Sequence, residues 1–292
     1  MAGKTLFIGN GLNRTLEDGI SWDDLMVRLR GRNLPEQSAP FPIEYEALAA
    51  QRGNMLGNRG DAYKQLREEL SELIQDQTTK GSEVYGAFRN IPFDHFVTTN
   101  YDTTFENMYD QAGSCISNIG SARNILDPVI KSEHADFYHA HGVAKWKNTL
   151  CLGHDHYASL IGKIRDRLKL KDNYNYSHLR SIILETEKST RTWPELLFTN
   201  DVAIVGLGLD YCEVDLWWLL SLRASIFAKA GGISTKANHI AYYVVDKQPD
   251  SKDQAKYDVL DRLGVEVACI PEADYKDGYI KIADRIIKAW SK

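Results

Sequence analysis

Four short stretches of the 292-residue chain place glycine beside polar or titratable side chains, each just behind an apolar run. Gly9-Asn10-Gly11 follows residues 5–8. Glycines at such a junction let the backbone approach a pyrophosphate, whose charge the amide N–H groups of a helix start would hold. Arg14 stands where a third glycine would complete the pattern, so a plain tight turn is the alternative. Thr98-Thr99-Asn100-Tyr101-Asp102 follows Phe96-Val97. There Asn100 suits a ribose hydroxyl or a water, and Asp102 can accept from an amide, although both types also serve as helix N-caps. His139-Ala140-His141-Gly142 offers a histidine base near neutral pH beside a glycine that permits a sharp turn. A buried histidine bonded to backbone is the plainer reading of it. With His154 and His156 downstream, a metal site would need all four imidazoles to converge, without an HExxH-like spacing to support it. Val205-Gly206-Leu207-Gly208-Leu209, with Asp210 and Asp215 beyond, suits either the other half of a dinucleotide or close helix–strand packing.

The apolar runs and periodicities predict what must carry these turns. Strands are expected over 5–8, 93–98, 137–139, 149–152, 202–205, 239–245 and 265–270. Ser21 is a good N-cap for a helix over 22–30, with Asp23 and Asp24 in its first turn. Further helices are expected over 44–51, over 63–77 with Leu66, Leu70, Leu73 and Ile74 at helical spacing, and from Asp102 through Met108. Others fall over 213–228, 251–263 and 274–290. Strands alternating with helices predict an α/β fold, a Rossmann-like parallel sheet with helices on both faces. The chain reads as a single domain over 1–292, with helical insertions at roughly 28–90 and 157–197, the second a charged surface excursion. Trp217 and Trp218 suit a core or a protein interface better than a base-stacking platform.

Composition excludes several classes. Hydrophobic residues make up 43% and charged residues 26%, enough apolar material for a large core and too much for a disordered chain. Thirty-five Lys and Arg against 40 Asp and Glu give a formal charge of −5, which argues against nucleic-acid binding through overall charge. The apolar runs 202–209 and 240–245 fall far short of the ~20 residues that span a bilayer. No apolar leader precedes residues 5–8, so a cytoplasmic protein is expected. The cysteines Cys115, Cys151, Cys212 and Cys269 lack the spacing of a zinc knuckle or a disulfide framework.

In this order the stretches resemble the sirtuin family, and more closely its prokaryotic sirtuin-like NAD-hydrolysing branch of anti-phage defence. Gly9 to Asn13 and Ser21-Trp22 stand where that family has Gly-Ala-Gly-x-Ser and a tryptophan-containing helix start, with Asn10 and Asn13 replacing Ala and Ser. Gly-Asn-Gly-Leu-Asn is also similar to the Gly-Asn-Gly-Phe-Asp opening of abortive-infection proteins. Thr98 to Asp102 resembles Thr-Gln-Asn-x-Asp, with Thr99 replacing glutamine, and His141-Gly142 matches the family's His-Gly. Leu152 to Tyr157, Val205 to Leu209 with Asp215, and the tail from His239 to Ile286 resemble its later elements. The two Cys-x-x-Cys pairs of the protein-deacylating members are absent, which argues against a zinc module and deacylation.

The resemblance implies a hydrolase that splits the nicotinamide–ribose bond of NAD, its substrate, into nicotinamide and ADP-ribose without a metal. It implies that Asn100 positions the ribose or the attacking water, that Asp102 holds the carboxamide, and that His141 acts as base or orients a ribose hydroxyl. Gly9, Asn10, Gly11 and Asn13 would cradle the pyrophosphate, Gly206 and Gly208 would underlie the adenosine side, and Trp22 and Thr99 would complete the NAD contacts. It further implies gating, by a homo-oligomer or a regulatory partner such as a hexameric ATPase, with neither nucleic acid nor membrane as a direct partner. The alternatives are a non-catalytic subunit that binds NAD or ADP-ribose, a metal-dependent hydrolase built on His139, His141, His154 and His156, and a zinc-free deacylase.

Overall fold

A computed structural model of the chain describes residues 2–16, 19–30, 39–75, 82–110, 117–118, 125–132, 134–170, 176–185, 191–228, 237–246 and 251–291. Its strands are β1 (Lys4–Ile8), β2 (His95–Thr98), β3 (Ser117–Asn118), β4 (Ile130–Lys131), β5 (Asp136–His139), β6 (Asp201–Val205), β7 (Ile240–Asp246) and β8 (Glu266–Pro271). They form one sheet in the order β3-β4-β5-β2-β1-β6-β7-β8. The six strands from β5 to β8 in that order run parallel, while β4 and β3 add an antiparallel edge that hydrophobic periodicity does not reveal in two-residue strands. The α/β expectation therefore holds, with this edge as an addition.

The strands are apolar at successive positions because the sheet is covered on both faces. Leu6, Ile8, Phe96, Phe137, Ala203 and Val205 face one layer, made by α4 (Glu83–Arg89), α5 (Thr104–Asp110) and α11 (Tyr275–Trp290). Phe7, Val97, Tyr138, Val202 and Ile204 face the other. That layer contains α6 (His154–Arg167), α7 (Ser177–Ile183), α8 (Trp193–Thr199), α9 (Val214–Ile226) and α10 (Ser251–Arg262). Helices α6 to α8 are thus a core layer and not the surface excursion expected for 157–197. Tyr157, Leu160, Ile164 and Leu168 recur at helical spacing among the charges, and that buried stripe outweighs the overall polarity.

A third apolar cluster lies over the carboxyl ends of the strands. Helices α1 (Trp22–Arg30), α2 (Phe41–Leu56) and α3 (Arg59–Gln75) bury Leu25, Leu29, Tyr45, Leu66 and Leu70 against Tyr101, Leu150 and Leu152. Of residues 149–152, expected as a strand, Thr149 closes a 3-10 helix (Ala144–Thr149) and the rest follow it, pairing with no strand among the described residues. The Thr149 hydroxyl accepts from the Val143 amide, and the Cys151 amide donates to the His141 carbonyl at 2.8 Å. Their apolar run is buried beneath the helical cap and not beside a strand, a distinction that periodicity alone cannot make.

Candidate active site

Register places the four turns side by side. Ile8 pairs with Thr98 and with Val205, and Thr98 pairs with His139. Two residues beyond these pairs, Asn10, Asn100, His141 and Leu207 therefore leave neighbouring strand ends at one level. The chain reverses direction across the sheet between β1 and β6, the place where open α/β sheets bind ligands. Here that crevice is laced shut, because the Gly9 amide donates to the Val205 carbonyl and the Gly11 amide to the Gly206 carbonyl. A Cβ at Gly9 would stand 2.5 Å from Leu207 Cα. The two glycines thus join neighbouring turns, and their own amide protons are already committed.

The open space lies on the other side of the Gly9 loop. A cleft of about 310 Å³ is lined by Asn10, Ser21, Trp22, Asn100, Tyr101 and Asp102, with Ile20, Leu25 and Ile74 supplying apolar wall. Trp22 reaches the cleft because Ser21 caps α1: its hydroxyl accepts from the Asp24 amide while the Asp24 carboxylate accepts from the Ser21 amide. The Trp22 ring meets Tyr101 edge-on, with centroids 5.1 Å apart. Asn10 is held by its side-chain amide, which donates to the Ile20 carbonyl at 2.9 Å. A second cavity of about 190 Å³ shares Asn100 and Asp102 with the cleft and adds Tyr85, Phe96, Phe105 and Glu106.

Asn100 is 7% exposed, and its side-chain oxygen is buried without a hydrogen-bond partner among the described residues. Such an atom costs about 1–3 kcal/mol unless a donor meets it. Asp102 is braced on both sides: one oxygen accepts from the Thr104 amide at 3.0 Å, the other from the Asn13 side-chain amide at 2.7 Å. The first bond is the turn-capping role open to an aspartate here, and the second ties the β1 loop to the β2 loop. Asn13 in turn accepts from the Tyr85 hydroxyl, whose proton is held more tightly by burial and by the nearby Asp102 charge. Thr99 is buried, yet lines neither cavity.

Two buried histidines support this floor in different ways. His139 donates through Nδ1 to the Asn100 carbonyl at 2.8 Å, and its Nε2 lies 2.7 Å from the Glu106 carboxylate. Burial is the largest single influence and disfavours its charged form, but the charge and hydrogen bond of Glu106, with the Asn100 carbonyl, together outweigh it and raise its pKa. His141 Nε2 lies 3.0 Å from Asp215, a fully buried carboxylate in the first turn of α9, and its ring meets Tyr157 edge-on at 5.3 Å. Burial again opposes protonation most strongly, but the charge and hydrogen bond of Asp215, with the Glu213 charge, together prevail, so its pKa is also raised. Burial pushes the neighbouring Glu213 carboxyl up to about 7 against the pull of His141. His141 lines neither cavity; it stands one strand away from Asn100 at the same level. His156 belongs elsewhere, with Nδ1 accepting from the Leu152 and Gly153 amides at the start of α6. Among the described residues, no group of three or more His, Cys, Asp or Glu is placed to hold a metal ion.

The β6 turn contributes geometry more than contacts. Gly206 has φ +64°, and a Cβ there would meet Leu12 at 2.6 Å. Gly208 faces open space, and its carbonyl accepts from Lys256 at 3.0 Å.

A family model described as a SIR2-like domain matches residues 94–267, more than half of the chain. The chain belongs to the SIR2-like family. SIR2-like domains bind NAD, and the matched span carries Asn100, Asp102, His141 and the glycines of the β6 turn. The β1 loop from Gly9 to Asn13 precedes that span and joins its β2 turn through register and the Asn13–Asp102 bond. No curated protein matches the chain. Sequence reasoning left Glu106, Glu213, Tyr85 and Tyr101 out of the site and named Asp215 without a role there. Glu106 lies four residues after Asp102, one turn into α5, and that spacing was the available signal. Nothing local marks Asp215 as the partner of a histidine 74 residues earlier.

Proposed function

We propose that this SIR2-like protein is an NAD glycohydrolase, splitting NAD and water into nicotinamide, ADP-ribose and a proton. The observation that carries the reading is the buried, unpartnered Asn100 side-chain oxygen at the junction of the two cavities. It suits a ribose hydroxyl, which donates a hydrogen bond and brings the scissile carbon to the β2 end. Asp102, fixed by Asn13 and Thr104, has acceptor capacity left on each oxygen for a carboxamide N–H. The adjoining small cavity, walled by Phe96, Phe105 and Tyr85, puts aromatic surface beside the Asn100 oxygen. With the Gly9 and Gly11 amides committed to β6, and the buried Asn13 side chain engaged by Asp102 and Tyr85, the pyrophosphate is left to Asn10, which lines the cleft.

The C–N bond breaks with its electron pair leaving on the nicotinamide nitrogen while positive charge develops on the ribose. Asn100 orients the sugar, and His141 takes the proton released as water attacks. Such an activity must be gated, so the reading extends to a defence effector controlled by self-assembly or by a separate protein.

The test is NAD consumption by the purified protein, resolved by chromatography, beside Asn100→Ala and His141→Ala. Nicotinamide and ADP-ribose from the parent alone support the reading. Turnover retained in both variants would sink it. Binding of NAD or ADP-ribose with no cleavage by the parent, under every assembly condition tried, favours the non-catalytic subunit.

A further inference from the structure

We propose that Asp215 is a positioning residue that fixes the proton of His141 on Nε2, so that Nδ1 is the nitrogen that takes the proton from the attacking water. The role of the base rests on the NAD-cleaving reading; the placement of the proton does not.

A carboxylate only accepts, so at 3.0 Å the bond from His141 Nε2 to Asp215 Oδ2 requires the hydrogen on Nε2. In neutral imidazole the lone pair then lies on Nδ1. The backbone leaves the ring little freedom. The His141 carbonyl is tied to the Cys151 amide, and Gly142 turns at φ +93°, where a Cβ would stand 2.3 Å from the Thr149 carbonyl oxygen. The edge of Tyr157 closes one side of the imidazole.

The carboxylate is as firmly placed. Leu209, 1% exposed, adopts φ +44° in the turn before α9, a left-handed conformation that side-chain-bearing residues rarely take. That turn delivers Asp215 to the first turn of the helix, where the free amide ends favour negative charge. Glu213 is the other carboxyl beside the pair, and its side chain is bound by the Asp210 amide at 3.0 Å. Asp215 is 0% exposed, and its second oxygen has no hydrogen-bond partner among the described residues. A merely structural contact would be expected to avoid a buried carboxylate left half-satisfied. A pair that must stabilise an imidazolium, formed when His141 holds the proton of water and ending when that proton passes to solvent, needs this charge.

The protein without NAD, labelled with nitrogen-15 on histidine, answers the structural half. His141 resonances, assigned by their absence in His141→Ala, should show a protonated Nε2 and an unprotonated Nδ1 at a pH above its titration. Asp215→Asn should change that tautomer balance and lower kcat about 100-fold, with KM within about threefold. A proton found on Nδ1 in the neutral parent overturns the proposal. So does an Asp215→Asn protein that keeps both the tautomer and kcat. Should Asp215→Asn fail to fold, the parent's tautomer still decides. If the parent shows the expected tautomer and no NAD turnover under any condition, the NAD-cleaving reading fails and the placement of the proton stands.

Discussion

Two glycines of the β6 turn separate backbone need from ligand contact. Gly206 sits at φ +64° against Leu12, so Gly206→Ala should destabilise the protein by about 1–3 kcal/mol, read by denaturant unfolding. Gly208 faces open space, and Gly208→Ala should stay within about 0.5 kcal/mol of the parent. A changed KM for NAD in that variant would then report contact with the adenosine side and not a damaged fold. Both glycines read alike in sequence; only the dihedral angle and the neighbour at 2.6 Å divide them.

At the scale of elements, helix starts do much of the positioning. Ser21 holds the first turn of α1, which carries Trp22 to the cleft and buries Leu25 and Met26. Ser21→Ala should cost about 1 kcal/mol and raise KM more than it lowers kcat, since it loosens a wall and leaves the floor intact. At α6 the cap is a histidine. Burial, and then the Arg67 charge, lower the His156 pKa from 6.5 to about 4. The unfolded chain therefore binds the extra proton between those values. The stability that neutral His156 contributes is complete above about pH 6.5 and is lost as the pH falls through 4. The loss is on the order of 3 kcal/mol. His139 and His141 act with opposite sign, their contribution being full below 6.5 and lost as the pH rises through their raised values. His156→Gln keeps a capping side chain at the same helix position, so its unfolding free energy should lose the slope between pH 6.5 and 4 while the rest of the profile stays. An unchanged slope would place the acid sensitivity elsewhere.

For the whole molecule, the site is a seam between a two-faced sheet and a helical cap. The cap of α1, α2 and α3 shares Tyr101, Leu150 and Leu152 with the strand ends, so a ligand in the cleft bridges both parts. ADP-ribose should raise Tm in a concentration-dependent way, and His141→Ala should keep most of that rise because His141 lines neither cavity. Asn100→Ala should lose it. An equal loss in both variants would place His141 among the binding contacts. Among the described residues no helix is long and apolar enough to cross a membrane.

The alternation of apolar runs with helical periodicity was enough to determine the α/β class, because strands buried on both faces and helices buried on one leave different patterns in the chain. The four polar turns were legible for the same local reason: each follows its own strand directly. The sequence also determined the cap at Ser21, whose partner lies three residues away. Tertiary structure alone decided which glycine amides are free, since Gly9 and Gly11 donate to carbonyls nearly 200 residues later. It decided that residues 149–152 lie under a helical cap and that α6 to α8 are core. It also chose the carboxylate beside each histidine, Glu106 for His139 and Asp215 for His141. Those pairings are set by which strands become neighbours, and parallel strands are joined by long crossovers that erase any fixed spacing between residues meeting at their ends.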